Sequence, residues 1–301
     1  MNKIILIIIL FTFISCEKEV ELKLDKGQDK LVVNSLFYPD TNFRVYVTTT
    51  KLINENKNTF VNDAIVKLYK NDVYLETLSF EGDGWYTSVV RPEYDTRYKV
   101  EVTQGNQFVF AESYVPDSTL FLGEYTTKTT CEGTYVTSST TYKLTIIHNN
   151  SEERFYQTME GVFFQTEEDY RNISDPSILS DSEIEYNPKS LFFSNKLFDS
   201  DTAIIHISKS QITEFGIDCN SIIGISNSNF FVQTKNLSKE YYLFLKTWVI
   251  HKYNQNSDFN IEEPIKLIFQ GQPIEMYSNV VGGYGVFAGF NKQQVMFIYV
   301  P

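Results

Sequence analysis

Hydrophobic and polar residues alternate along short segments of this chain between Leu31 and Val115. In "RYKVEVT" the side chains of Tyr98, Val100 and Val102 share one side, and charged residues occupy the other. Strict alternation over about four to eight residues is typical of a half-buried β-strand. The pattern predicts strands at Leu31–Tyr38, Phe43–Thr50, Ala64–Lys70, Val73–Phe80, Trp85–Val90, Arg97–Thr103 and Gln107–Val115.

Turn signals separate these predicted strands. The pair "ND" begins at Asn71, and "EGDG" runs from Glu81 to Gly84. An Asp-Gly pair supplies the positive φ values that a tight two-residue hairpin requires. About seven short strands with turns between them are typical of a small β-sandwich. Residues 31–116 are therefore predicted to form an immunoglobulin- or transthyretin-like β-sandwich.

Longer and less regular elements follow "VPDST" (Val115–Thr119), which we interpret as a linker. Further strands are predicted at Tyr142–His148, Arg154–Phe164, Ser190–Ser194, Thr202–Ser208, Ser221–Ser226, Phe230–Lys235 and Gln294–Val300. The segment Leu237–Gln255 differs, because its aromatic residues recur at helical spacing behind Ser238, a favourable N-cap. We interpret this aromatic stripe as core packing. The predicted fold is mainly β, with a larger β-rich domain at residues 117–301 that contains one clear helix.

The N-terminus carries an apolar run from Ile4 to Ile14. This run is about eleven residues long, whereas a membrane-spanning helix needs about twenty. Lys3 before it and the small Ser15 after it complete the parts of a secretory signal peptide. Cys16 then stands where a bacterial lipoprotein signal places its lipidated residue. We expect a signal peptide at residues 1–15, a mature chain that begins at lipidated Cys16, and a tether at residues 16–30. Plain secretion is the alternative.

Composition limits the classes of partner. The mature chain of about 285 residues is long enough for two domains of ordinary size. The net charge is −12, and lysine and arginine form no basic cluster, which argues against a nucleic-acid partner. Besides Cys16 the chain has Cys131 and Cys219. In an oxidising compartment such a pair predicts one disulfide, and two separate buried thiols are the alternative.

Residues that could carry catalysis are sparse. The three histidines, His148, His206 and His251, lie far apart in sequence, without the spacing of metal ligands. The sequence contains no phosphate-binding loop and no G-x-S-x-G nucleophile elbow. We therefore expect no enzyme activity and assign no catalytic, cofactor-binding or metal-binding residue.

Two segments are the first places to look for a ligand site. The acidic stretch at residues 165–190 is long for a connection, and such connections are usually functional or mobile. Its Glu167, Glu168 and Asp169 could bind a hard cation, although solvated surface is the favoured interpretation. The second segment is the glycine-rich "GGYG" turn, Gly282–Gly285, which lacks the G-x-G-x-x-G spacing of nucleotide-binding loops.

Several segments together resemble a known family. "SCEKEVELKL", "KLVVNSLFYPD", "VNDAIVKLYKND" and "GDGWYTS" are followed in order by "FFSNKLFDSD", "SKEYYLFL" and "EMYSNVVGGYGVFAGF". The chain resembles lipoproteins of Bacteroidota in domain-of-unknown-function family 4249. The acidic residues after Cys16 resemble the surface-export signal of such lipoproteins. The resemblance implies a position beside TonB-dependent transporters, on the outer membrane and facing the cell exterior.

This resemblance implies a function but brings no catalytic residues. The leading hypothesis is a surface-exposed outer-membrane lipoprotein that serves a TonB-dependent transporter as an accessory subunit in nutrient capture or uptake. One alternative is a free-standing glycan- or peptide-binding or adhesion lipoprotein. Another is a structural subunit of an outer-membrane assembly complex.

Overall fold

A computed structural model provides the three-dimensional structure of the chain. It describes residues 29–51, 59–132, 135–148, 151–161, 170–173, 190–214, 231–255 and 274–300. Strands dominate these residues, and their layout resembles a sandwich. The predicted mainly-β class is confirmed.

The first eight strands lie in the segment where alternation predicted a sandwich. They are β1 (Leu31–Phe37), β2 (Arg44–Thr49), β3 (Ile65–Lys70), β4 (Val73–Thr77), β5 (Ser79–Gly82), β6 (Trp85–Thr87), β7 (Thr96–Gln104) and β8 (Gln107–Val115). Both predicted hairpin turns are confirmed, because Asn71, Asp72, Asp83 and Gly84 all have positive φ. The alternation in β7 is confirmed too, since Tyr98, Val100 and Val102 are fully buried.

The second half of the chain adds longer strands and the helix. They are β9 (Leu120–Glu132), β10 (Tyr135–Ile147), β11 (Phe155–Gly161), β12 (Tyr170–Ile173), β13 (Ser190–Ser194), a 3-10 turn (Asn195–Leu197), β14 (Thr202–Glu214), β15 (Phe231–Leu237), α1 (Lys239–Gln255) and β16 (Tyr284–Tyr299). No helix in these described segments is long and apolar enough to cross a bilayer.

The strands form two sheets. One has the order β4-β3-β7-β8; the other runs β12-β14-β10-β9-β16-β1-β2-β6-β5, with β11, β13 and β15 paired beside that path. The sandwich forms where β1, β2 and β6 pack on the four-stranded sheet. Its core is aromatic at the centre, where Phe37 contacts Phe43, Tyr98 and Phe287 with ring centroids 4.6–5.8 Å apart.

The last strand, β16, joins both halves of the molecule. Its first residues pair in parallel with β1, from Val32 opposite Tyr284 to Phe37 opposite Gly289. Further along, β16 pairs with β15 and then in parallel with β9. The last strand was predicted to begin at Gln294, after a glycine-rich turn. This start was wrong, because "YGVFAGF" already forms the first part of β16.

One further prediction about a strand was wrong, and one strand was not predicted. Residues Val73–Phe80 do not form one strand: β4 belongs to one sheet and β5 to the other, and Leu78 between them is buried in the core. Leu78 is buried at the point where the chain passes from one sheet to the other. The hydrophobic pattern there is therefore the same as that of one continuous strand, and the pattern alone does not distinguish the two structures. Strand β9 was not predicted, since its threonine-rich second half, "TTKTT", has no hydrophobic alternation.

The predicted helix and its N-cap are confirmed. The backbone N–H of Tyr241 donates to Ser238 Oγ at 3.3 Å, and that of Tyr242 donates to the Ser238 carbonyl at 3.1 Å. Both tyrosines are buried, with Tyr241 against Phe290 and Tyr242 against Phe155. The aromatic stripe is therefore core at its start, whereas Trp248 is 36% exposed.

The predicted division into domains near residue 116 stays a prediction. Phe287 and Val280 pack in the sandwich core although they lie near the C-terminus. The sandwich is thus completed by residues that are remote in sequence.

Candidate functional site

A groove opens where the end of β8 meets the start of β11 and the end of β15. We name it the junction groove. It has two adjoining parts, of about 320 and about 410 Å³. Tyr114, Glu153 and Phe155 line both parts. Because residues from both halves of the chain line it, the groove exists only in the folded protein.

Aromatic side chains form the inner wall of the groove. Phe155 is 5% exposed and stacks on Tyr242 of α1, with ring centroids 4.6 Å apart. Tyr156 is fully buried and meets Phe121 edge-on. Tyr114 lies on the opposite face of β8 from the buried Ser113 and Val115, and it stays half-buried. Of these rings, Tyr114 therefore offers the accessible aromatic surface.

An ion pair crosses the groove. Arg154 donates through Nη1 to Asp117 Oδ1 at 2.6 Å and through Nη2 to Asp117 Oδ2 at 3.3 Å. Glu152 lies 3.5 Å from the same guanidinium. Burial lowers the pKa of Arg154, but the hydrogen bonds and charge of Asp117 outweigh burial, so the net shift is upward. The guanidinium is held against Asp117 and stays charged.

The buried polar atoms of the groove lining that lack hydrogen-bond partners among the described residues include one atom of Asn236 and one of Arg154. Asn236, 5% exposed, donates through Nδ2 to the Asp117 carbonyl at 2.7 Å and to Thr119 Oγ1 at 2.9 Å. Its Oδ1 accepts no hydrogen bond, and Nε of Arg154 donates none. One vacant acceptor and one vacant donor are thus present in the same lining, and unsatisfied buried groups of this kind are uncommon.

Negative charge dominates the groove. Its two parts together are lined by six carboxylates and three cations, an excess of three negative charges. Burial raises the pKa of Tyr114 to about 12, and the charge of Glu240 adds to that rise. Asp117 and Glu152 raise this pKa further, while Arg154 lowers it. The Tyr114 hydroxyl therefore stays protonated and remains a hydrogen-bond donor at neutral pH.

Ser113 connects the three elements beside the groove. Its Oγ donates to Glu240 Oε2 at 2.7 Å and accepts the backbone N–H of Gly289 at 3.3 Å. Ser113 itself is 4% exposed. This hydroxyl ties strand β8 to the first turn of α1 and to the middle of β16, which fixes the wall of the groove.

A second surface feature is an apolar patch on the outward side of β9, β10, β14 and β16. Leu122 and Ile204 flank Thr145 in the sheet, and Ile147 lies opposite Leu120. The patch, which we name the apolar face, consists of Leu120, Leu122, Ile147, Ile204, Met296 and Ile298, whose exposures run from 37% to 72%. The alternate residues Phe121, Leu144, Ile146 and Ile205 fill the core.

Several predicted site residues lie outside the described residues. These are Cys16, the carboxylates Glu167, Glu168 and Asp169, and Cys219. Cys131 lies in β9, paired with Val136. The lipidation and the disulfide therefore stay predictions. The acidic 165–190 segment is described at β12, which pairs with β14, and at its last residue, Ser190, where β13 begins.

The three histidines, which lie far apart in the sequence, also lie in different elements of the fold. His148 follows β10 and is buried, His206 is half-buried in β14, and His251 lies in α1, where its Nδ1 is 2.9 Å from the Ile274 carbonyl. Across the described ranges, no group of histidine, cysteine, aspartate and glutamate could hold a metal ion.

The glycine-rich segment has a packing role. A Cβ on Gly285 would collide with the Val33 carbonyl of β1, and one on Gly289 would collide with the Tyr114 carbonyl of β8. Glycine is required where backbones approach this closely. The junction groove lies beside Gly289, and a further pocket of about 430 Å³ is lined in part by Gly283 and Tyr284 of the predicted "GGYG" turn. The suggestion of a ligand site at this turn stays a prediction.

The family is decided by the comparison with family models. The model described as "Domain of unknown function (DUF4249)" matches residues 17–295. The chain belongs to the DUF4249 family. This match covers the sandwich, the junction groove and β16 as far as Val295. No curated protein matches the sequence.

A solved structure described as "Crystal structure of bovine butyrophilin" is similar in part. The sequence identity is 9%, and the TM-score is 0.19. The alignment covers 70% of this chain and 92% of the butyrophilin chain.

Sequence reasoning missed the junction groove. "VPDST" was interpreted as a linker, yet Asp117 and Thr119 within it bind Arg154 and Asn236. The local sequence gave little signal, because Arg154 directly precedes β11 and Asn236 lies within β15, whose middle residues are polar. The pairing itself joins residues far apart in the chain, and no spacing rule reaches that far.

Proposed function

We propose that this DUF4249 protein is a surface-exposed outer-membrane lipoprotein, anchored through Cys16, that serves a TonB-dependent transporter as an accessory subunit in nutrient capture or uptake. The apolar face is the observation that supports docking of this protein to a transporter. Soluble monomeric proteins rarely expose contiguous apolar patches larger than roughly a few hundred Å², and patches of that size mark interaction sites. An integral membrane protein is the partner that a lipid tether would bring within reach.

The polar flank of the apolar face supports a protein partner over bare lipid. Lys143 and Glu124, on the same outward side, form an ion pair at 3.0 Å next to Leu122 and Ile298. An apolar centre with a charged rim is the usual anatomy of a protein–protein interface. The tether at residues 16–30 supplies the length to move the body from the membrane surface to a barrel.

The docking test is affinity purification of the full chain from detergent-solubilised native outer membranes. We expect a TonB-dependent barrel to co-purify in stoichiometric amount. Replacing Leu122 and Ile298 together by aspartate should abolish this, because burying two unpaired carboxylates in an interface is costly. The matched control is Val89→Asp, since Val89 is 83% exposed but lies on the sandwich. Failure to recover any barrel with the unaltered chain would refute the accessory role.

The anchor has its own test. Metabolic labelling with a radioactive fatty acid should mark the protein, and Cys16→Ser should remove the label. Surface exposure is checked by protease treatment of intact cells, which should degrade the protein without lysis. Labelling that persists in the Cys16→Ser variant would place the lipid at another residue, and an unlabelled wild-type protein would rule out lipidation.

The junction groove favours a second candidate, a free-standing binding lipoprotein for a glycan or peptide. A concave site with aromatic and polar lining is the usual form of a ligand site. If no barrel co-purifies and the protein still binds a ligand through the groove, the second candidate replaces the first.

A further inference from the structure

The junction groove offers more than a cleft between two halves of the fold. Its accessible aromatic surface is that of Tyr114, since Phe155 and Tyr156 behind it are buried, and the rest of its lining carries several carboxylates. These two kinds of surface lie in one cavity of about 320 Å³. A ligand that fits must combine an apolar part with positive charge.

The charges of the groove decide the sign of the ligand. The guanidinium of Arg154 in the lining already forms a bidentate pair with Asp117. The side chain of Asp95 makes no hydrogen bond or ion pair among the described residues, and Glu153 accepts only one long bond, from Ser194 at 3.4 Å. An anion would meet the excess negative charge, whereas an ammonium or guanidinium group would find free carboxylates.

The unpaired polar atoms limit the chemical class of the ligand further. Asn236 Oδ1 lacks a donor and Arg154 Nε lacks an acceptor within the described part of the chain. A peptide unit carries one N–H donor and one C=O acceptor. It therefore complements this pair, whereas a simple amine supplies donors alone.

We propose that the junction groove binds a peptide through a basic side chain, whose alkyl stem packs on Tyr114 while its ammonium or guanidinium group pairs with Asp95 and Glu153. The peptide backbone satisfies Asn236 and Arg154. The Tyr114 ring adds a face on which a cation can rest. This inference does not depend on the docking function, because the groove and the apolar face share no residue.

Isothermal titration calorimetry on the full, detergent-solubilised chain tests the proposal. The probe is N-acetyl-lysine methylamide, which has a basic side chain and two peptide units. N-acetyl-glutamate methylamide keeps the backbone but reverses the charge, and cadaverine keeps the amine but lacks the backbone. We expect the lysine probe to bind, the glutamate probe not to bind, and cadaverine to bind more weakly than the lysine probe.

A double variant and a matched control test whether the probe binds in the junction groove. The double variant Asp95→Asn and Glu153→Gln should weaken the lysine probe about fivefold, because two exposed charge pairs together contribute about 1 kcal/mol. The matched control is Glu81→Gln, which removes an exposed carboxylate of the sandwich, outside the groove. All these side chains are exposed, so the variants should keep the wild-type melting temperature, which is measured alongside.

The outcomes separate the parts of the proposal. Equal affinity for the lysine and glutamate probes, or no binding of the lysine probe, overturns it. Unchanged affinity in the double variant also overturns it, because the cation would then sit elsewhere. Cadaverine binding as tightly as the lysine probe would replace the peptide by a free amine. Co-purification of a barrel is unaffected by any of these results, so failure here and failure of docking are distinguishable.

Discussion

The two halves of β16 are the same strand in different surroundings. From Val286 to Asn291 every residue is buried, whereas beyond Asn291 only Val295 is buried. In the first half Phe287 packs in the sandwich core, and Val286 and Ala288 pack against α1 on the other face. In the second half one face is core and the other is the apolar face.

This contrast explains two sequence patterns. A strand covered on both faces needs no polar positions, which accounts for the unbroken apolar run "VFAGF". A strand covered on one face should alternate, and "QVMFIY" does not, because Met296 and Ile298 are apolar where polar residues are expected. Folding does not account for the excess apolar residues of the second half, and the proposed docking to a partner would account for them.

Truncating the first half should have the largest effect. Phe287→Ala removes a fully buried ring from the sandwich core and should lower the free energy of unfolding by about 3–5 kcal/mol. Urea denaturation followed by circular dichroism measures this. Ile298→Ala is the control in the second half, where 72% exposure predicts a change within about 0.5 kcal/mol. Similar losses in both variants would remove the contrast between the halves.

A smaller loss is expected from adding one methyl group beside the groove. Gly289→Ala places a Cβ against the Tyr114 carbonyl, and the two strands must separate to admit it. Overpacking of this kind costs about 1–3 kcal/mol, so the melting temperature should fall by several degrees. Gln294→Ala, an exposed position of the same strand, should leave it unchanged. A Gly289→Ala variant with wild-type stability would show that β8 and β16 can move apart freely.

Removing one hydroxyl tests how β8, α1 and β16 are held together. Ser113→Ala deletes the partner of Glu240 and of the Gly289 N–H, and leaving a buried donor without acceptor costs about 1–2 kcal/mol. The loss should be visible in urea denaturation and in faster amide hydrogen exchange at Gly289. Thr77→Ala, which removes an exposed bond to Tyr74, serves as the control. Unchanged exchange at Gly289 would mean that backbone packing alone holds the junction.

The last effect is absent at neutral pH and appears only in alkaline solution, because it concerns ionisation of Tyr114. A phenol ordinarily has a pKa near 10, and that of Tyr114 is raised to about 12. Above pH of about 10 the unfolded chain releases this proton while the folded chain keeps it. The free energy of unfolding should therefore fall as pH rises from about 10 to about 12. Below that window this phenol adds no pH dependence.

Ultraviolet titration checks this sign. Tyrosinate absorbance of wild type minus that of Tyr114→Phe should show one step centred near pH 12. The same subtraction in urea should centre near pH 10, since both chains are then unfolded. A native step centred near 10 would show that Tyr114 is open to water and does not lie in a negative groove.

Local patterns predicted much of the fold. Alternation located nearly every strand of the sandwich, the Asp-Gly and Asn-Asp pairs located their turns, and Ser238 located the start of α1. These features depend on residues adjacent in sequence, where backbone dihedrals and side-chain spacing decide the outcome. Strand β9 was not predicted, because it is formed by pairing with β10 and β16 and its own residues show no strand pattern.

The sequence by itself determined the mainly-β class, the hairpins, the helix with its cap and the expectation of a lipidated Cys16, since each depends on short-range chemistry. Only the tertiary structure decided that β16 completes the sandwich, that Arg154 meets Asp117, and that six outward apolar residues form one face. These depend on contacts between residues far apart in the chain. Such contacts are fixed by which buried surfaces fit together, and one sequence carries no local mark of that fit.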